Sequence, residues 1–239
     1  MRDRLKVGLM LALALLVANQ ADASPVNEPP PAGNVILDLN GTPVPHSYQL
    51  YTTGNFTASF ASTNISFAFR EDPNFLSLDD VTVRDVTTSS AVTVVNGGFE
   101  SGIVGNNAPV GWTYLNIFGA GAAGVVSTAN PHTGSNAYRD GAIQAYDAIT
   151  QAIPTTIGDV YNVSFYLDDS GSLTTFSRLS TNGNTTDTGG NGIDVLVYAG
   201  AVPVRANPVP EPATLASAGI AVLVGLGVAW RRRRAVAAA

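Results

Sequence analysis

Residues 159–167 read "DVYNVSFYL". Tyr161, Val163, Phe165 and Leu167 fall on one parity, with Asn162 and Ser164 on the other. Successive strand side chains point to opposite faces, so a period of two predicts a strand with one face in a core and one toward water. The pattern recurs on either side of this stretch. In "TNISFAF" (63–69), Ile65, Phe67 and Phe69 alternate with Asn64, Ser66 and Ala68; in "IDVLVYA" (193–199), Ile193, Val195 and Val197 share a face. Helical periodicity is nearly absent between residues 34 and 202, where β-rich runs are separated by Gly, Asn, Asp and Pro. The fold class that follows is all-β, an antiparallel β-sandwich over residues 34–202.

The flanks differ. The chain opens "MRDRLKVGLMLALALLVANQADASP". Arg2, Arg4 and Lys6 form a basic head, and the apolar run 7–18 is too short to span ~30 Å of hydrocarbon. Ala21-Asp22-Ala23 fits the small-x-small rule of signal peptidase, which predicts a signal peptide over 1–23 cleaved before Ser24. Residues 24–33, "SPVNEPPPAG", read as a Pro-rich disordered segment. A second Pro-rich linker covers 203–212. Residues 213–230 then carry no charge, enough for a transmembrane helix of about one bilayer thickness. Arg231, Arg232, Arg233 and Arg234 act as a stop, and by the positive-inside rule the tail 231–239 is cytoplasmic. Val209-Pro210-Glu211-Pro212 is a stiff, extended peptide just outside the span, since each proline fixes φ and restricts its predecessor.

The 239-residue chain has no cysteine, so no disulfide framework holds it and thiol chemistry is excluded. From Ser24 to Pro210 there are five arginines, no lysine and fifteen Asp and Glu, a formal charge of −10. Such a surface excludes nucleic acid and anionic lipid as electrostatic partners.

Pro210-Glu211-Pro212, an apolar span and an arginine cluster, in that order at a C-terminus, resemble the PEP-CTERM sorting signal. The resemblance implies a Gram-negative bacterial source. It also implies recognition by an exosortase-type sorting enzyme, removal of the span, and an association with exopolysaccharide and biofilm. Membrane contact through the C-terminal helix is then transient.

A second resemblance concerns the sandwich. "VVNGGFESG" (94–102) followed by "PVGWTY" (109–114) resembles the opening of galactose-binding-like jelly rolls, a fold of carbohydrate-binding modules. "ITQAIPTTIGDVYNVSFYL" (149–167) resembles their middle strand pair and "FLSLDDVTV" (75–83) their closing strand. Here the closing strand precedes the opening one. One permuted jelly-roll-like domain over 34–202 is the reading adopted, because residues 34–90 alone would leave open sheet edges.

Asp79-Asp80 marks a phase change: Leu76 and Leu78 precede on one parity, Val81 and Val83 follow on the other. That suggests a β-bulge. The jelly-roll resemblance implies a structural calcium at Glu100 with Asp79 or Asp80; solvated turn residues are the alternative, and no other cofactor is expected. Asp168-Asp169 and Glu71-Asp72-Pro73-Asn74 read as turns, and residues 180–192 as a long loop. Trp112 is either a core plug or a sugar-stacking ring. Tyr138, beside Arg139 and Asp140, is the better exposed carbohydrate candidate, since an apolar sugar face packs on an aromatic ring. His46 and His132 are the only histidines, each near a proline, and no catalytic motif or zinc spacing occurs.

The expectation is an exported, non-enzymatic protein that passes through an inner-membrane intermediate to the cell surface or extracellular matrix. Its sandwich binds glycan or contributes to the exopolysaccharide matrix. Two alternatives stay open: a secreted β-sandwich hydrolase acting on polysaccharide, and an unprocessed single-pass membrane-anchored protein.

Overall fold

A computed structural model describes residues 30–39, 42, 44–72, 75–116, 120–143, 145–169 and 192–204. The expected signal peptide, most of the first Pro-rich segment and nearly all of the 180–192 loop lie outside these residues. So do the Pro-Glu-Pro motif, the membrane span and the arginine cluster. Among the described residues no helix is long and apolar enough to cross a membrane.

The described chain is all-β. In order come β1 (Val35–Asp38), β2 (Gln49–Thr52), β3 (Phe56–Thr57), β4 (Ser62–Asp72), β5 (Leu76–Asp85) and β6 (Ser90–Val92). There follow β7 (Thr113–Leu115), β8 (Val125–Ser127), β9 (Ala137–Asp140), β10 (Asp147–Pro154), β11 (Val160–Asp169) and β12 (Gly192–Gly200). All pairings are antiparallel and form two sheets. The first runs β1-β12-β4-β10-β7; the second runs β2-β11-β5-β9-β8, with β3 on β11 and β6 on β5.

The period-two stretches become the long inner strands. Tyr161, Val163, Phe165 and Leu167 of β11 are buried, as are Ile65, Phe67 and Phe69 of β4 and Val195 and Val197 of β12. Phe67 and Phe165 meet edge-to-face across the two sheets at 5.0 Å between ring centroids, and Phe67 also touches Trp112. Edge-on contact is the preferred geometry of such rings. Each large apolar side chain buried this way contributes ~1.5–3 kcal/mol, which supports a fold without disulfides.

The first sheet departs from the expected polar outer face. A second cluster covers it: Ala68, Ala148, Leu196 and Tyr198 pack against Ala120, Ala142, Ala145 and Tyr146. Alanine lets the 120–146 connection lie close on the sheet, so both faces of β4 and β12 are buried. The N-terminal segment joins this cover, with Tyr198 Oη donating to Pro31 O and Ala32 bridging Val204. The strands also run further than the turn reading of their acids allowed. Glu71, Asp168 and Asp169 are not turn residues but buried strand residues, paired across β12 and β5.

The Asp79–Asp80 bulge is present. β5 advances from Asp79 to Thr82 while β11 advances only from Tyr166 back to Ser164, and Asp80 takes φ 51°. Aspartate tolerates this left-handed region better than most residues. The bulge turns Val81 N–H onto Gly97 O at 2.9 Å, tying β5 to the Asn96–Gly97–Gly98 turn.

Asp194, on the covered face of β12, is buried and accepts a hydrogen bond from Tyr146 Oη. Burial pushes its carboxyl up to about 7, with the Tyr146 bond and the Arg70 charge opposing and Asp38 adding to the rise. An unfolded Asp titrates near ~3.9. The native state therefore holds a proton that the unfolded chain has lost, and the stability this gives disappears as pH rises from about 4 through 7. Chemical unfolding of wild type should show stability falling over that interval, and Asp194→Asn should show a smaller fall; equal slopes would contradict the assignment.

Candidate functional site

Three places in the sandwich gather functional side chains, and each follows from strand parity and the loops that parity leaves outside. The first is the outer face of β5 and β11 at the bulge. Asp79 Oδ2 accepts the main-chain N–H groups of His132 (2.8 Å) and Thr133 (3.2 Å), while its Oδ1 accepts Asp80 N–H. Asp80 meets His132 Nδ1 at 2.6 Å and accepts from Thr133 Oγ1 at 2.8 Å. Glu100 takes the N–H groups of Ser135 and Asn136 at 3.0 Å. Gly134, at φ 63°, lies between them, and a Cβ there would fall 2.3 Å from Glu100 Oε1. Carboxylates accepting main-chain N–H groups make charge-assisted bonds, about twice as strong as neutral ones.

Asp79, Asp80 and Glu100 thus meet at one place, as the sequence suggested, but their common partner is the 130–136 loop. Their oxygens are turned to N–H and O–H donors. Among the described residues no three Asp, Glu or His side chains group closely enough to hold a metal ion. Burial raises the Asp79 carboxyl to about 6, against the amide bonds that oppose the rise.

An aromatic stack sits over this clamp. The His132 ring lies flat on Tyr166 at 3.8 Å between centroids, and Tyr48 tilts against His132 at 4.9 Å. Tyr48 Oη donates to Asn130 O, and Asn130 Nδ2 donates to Asp168 Oδ1. Sequence reading passed over Tyr48, His132 and Tyr166 as a group. The even parity of Tyr166 on β11 was the available signal, since it places a ring on the polar face.

The second place lies between the sheets, where Asp140 of β9 and Asp147 of β10 are wholly buried beside the hydroxyls of Tyr114 and Tyr138. The exposed platform expected at Tyr138, Arg139 and Asp140 does not form. Tyr138 is 1% exposed and packs on Phe69 and Phe99, Asp140 faces the same interior, and Arg139 lies over the Phe75 ring at 3.8 Å. On a four-residue strand, alternation leaves open which parity is inside. Pairing with Leu76–Leu78 of β5 decides it.

The third is an open groove of about 560 Å³ lined by Asn106, Asn107, Ala108, Trp112, Thr113 and Tyr114. Trp112 is chiefly a core residue, 6% exposed, in contact with Phe67 and Phe99 and with its indole N–H directed at Asn96 O. Asn96 and Gln151 hold this region in shape. Asn96 Nδ2 donates to Ser101 O and Val110 O, and Gln151 brackets Val95 and Gly111. These bonds explain why the Asn-Gly-Gly-Phe-Glu and Pro-Val-Gly-Trp stretches sit together. Asn106, Thr113 and Ala108 are exposed along the groove.

In comparison with known proteins, the model of the PEP-CTERM protein-sorting motif matches residues 208–234. That span includes Pro210-Glu211-Pro212 and Arg231–Arg234, and the motif implies export and recognition by an exosortase-type sorting enzyme. No curated protein and no solved structure is matched.

Proposed function

We propose that the protein is an exported, non-enzymatic component of a Gram-negative cell surface or polysaccharide matrix. A sorting enzyme reads Val209–Pro212 and removes the span, and the sandwich then binds glycan in the Asn106–Tyr114 groove. The observation that carries this reading is the sorting motif over 208–234. A stiff Pro-Glu-Pro peptide ahead of an apolar span and four arginines suits a protease cleft at the membrane face. The groove supports the second half. Its size lies in the range of small-ligand sites, and the amides of Asn106 and Asn107 with the Thr113 hydroxyl match what sugar hydroxyls require, beside the half-buried Tyr114 ring. Its lining has no carboxylate, whereas glycoside hydrolysis uses two.

Intact mass of the protein recovered from its host tests the sorting half. The reading expects a chain that begins at Ser24 and lacks Arg231–Arg234, and expects Glu211→Ala to retain the tail. A mature chain that keeps the arginines in both cases would contradict it. Retention on the host's exopolysaccharide tests the glycan half. Asn106→Ala and Thr113→Ala should each weaken binding about fivefold, the worth of one hydrogen bond of ~1 kcal/mol. Unchanged retention in the double variant would remove the groove from the account.

A further inference from the structure

The groove at Asn106–Tyr114 and the buried acids Asp140 and Asp147 share one wall, the segment that leads into β8. Three hydrogen bonds join this segment to the groove lip at residues 105–107. Gly105 N–H donates to Val126 O at 2.8 Å, Val126 N–H donates to Asn106 O at 2.9 Å, and Asn107 Nδ2 donates to Gly124 O at 2.8 Å. The other side of the segment rests on the acids. Gly124 N–H donates to Asp147 Oδ2 at 3.0 Å. A Cβ on Gly124 would fall 2.2 Å from Asp140 Oδ2 and 2.4 Å from Tyr138 Oη, so its lack of a side chain lets the chain come this close. Asp140 is itself fixed by Ala142 N–H at 2.8 Å. Tyr114 makes a second link. Its ring lines the groove, while its place opposite Ile149 turns it to the inner face of the sheet, with its hydroxyl in hydrogen-bonding reach of Asp147.

Both carboxyls are buried and lie within hydrogen-bonding reach of each other. The titratable groups that face them are Glu71, which adds to the negative field, and the hydroxyls of Tyr114 and Tyr138. Arg139, next in sequence to Asp140, is committed to Phe75. Two carboxylates this close cannot both ionise in a dry site, whereas one proton between them turns repulsion into a hydrogen bond. Burial, joined at Asp140 by the charge of Asp147, holds both above the ordinary carboxylate range. Building on the glycan reading of the groove, we infer that Asp140 and Asp147 share one proton and act as positioning residues, holding Asn107 and the Tyr114 ring in the binding geometry through Gly124 until that proton is lost. Without the proton, two like charges stand side by side. The carboxylates then draw apart, and Asp147 takes the Gly124 amide and the Tyr114 hydroxyl with it. The groove is therefore formed at low pH and loses its shape as pH rises past the ordinary carboxylate range.

The test uses the full-length protein in mild detergent, isotopically labelled at Asp, Asn and Gly. Nuclear magnetic resonance follows the Asp140 and Asp147 carboxyl carbons, the Gly124 amide and the Asn107 side-chain amide from pH ~4 upward. All four should change together in one titration that ends above the ordinary carboxylate range. Retention on the host's exopolysaccharide should weaken about fivefold over the same interval, the worth of the one hydrogen bond Asn107 supplies. Asp147→Asn should abolish the change at Gly124 and Asn107 and flatten retention against pH, while Asp194→Asn should leave both as they are. If Asp147→Asn does not fold, the wild-type carboxyl carbons decide. Carboxyls that titrate at ordinary values would overturn the inference. So would a titration that leaves Gly124 and Asn107 unmoved, or retention that ignores it. Amides that titrate with the pair in a protein that the exopolysaccharide never retains would support the coupling and remove glycan from the groove.

Discussion

The loops of this sandwich are held by carboxylates that accept main-chain N–H groups. Glu100 takes two consecutive amides of the 130–136 loop and Asp79 takes two more, while Asp147 and Asp140 fix Gly124 and Ala142. A buried or half-buried amide without a partner is costly, and a carboxylate partner is worth more than a neutral one. The chain has no cysteine and few cations to spend on ion pairs. Its acids serve instead as receptors for loop backbone, and this fixes where the rings of His132, Tyr48 and Tyr166 stand.

The same chemistry sorts the acidic residues by environment. At the bulge, the buried Asp79, the half-buried Asp80 and the exposed Glu100 are all satisfied by the loop. On the covered face of β12, Asp194 is dry and shares a bond with Tyr146, so its proton is retained into the neutral range. Between the sheets, Asp140 and Asp147 have each other and the tyrosine hydroxyls, and burial holds both carboxyls above the ordinary range. A formal charge of −10 over residues 24–210 therefore overstates what water meets, because several of these acids are inside.

The long strands were legible because alternation over seven or more residues admits one reading. β4, β11 and β12 lie where Ile65–Phe69, Tyr161–Leu167 and Val195–Val197 put them. The bulge was legible too, from the parity switch between Leu78 and Val81. The short strands were not: β9 has four residues, and its inward face was fixed by β5 some sixty positions earlier. Asp79, Asp80 and Glu100 were rightly grouped, but their partner was hidden. The loop amides that bind them lie 35 to 54 residues away and carry no side-chain signature. The covered outer face of the first sheet was missed for a related reason, since Ala120, Ala142 and Ala145 look like loop filler until the sheet is beneath them.

The sorting motif over residues 208–234 concerns export, and the sandwich is a separate part of the chain. The sandwich can do its part only if the acid-held loops keep one conformation. Amide hydrogen exchange at His132, Thr133, Ser135 and Asn136 reads this directly, because Thr133 and Ser135 have exposed side chains on a surface loop. The account predicts slow exchange at all four amides in wild type, and loss of protection at Ser135 and Asn136 alone in Glu100→Ala. Fast exchange at these amides in the intact protein would contradict it.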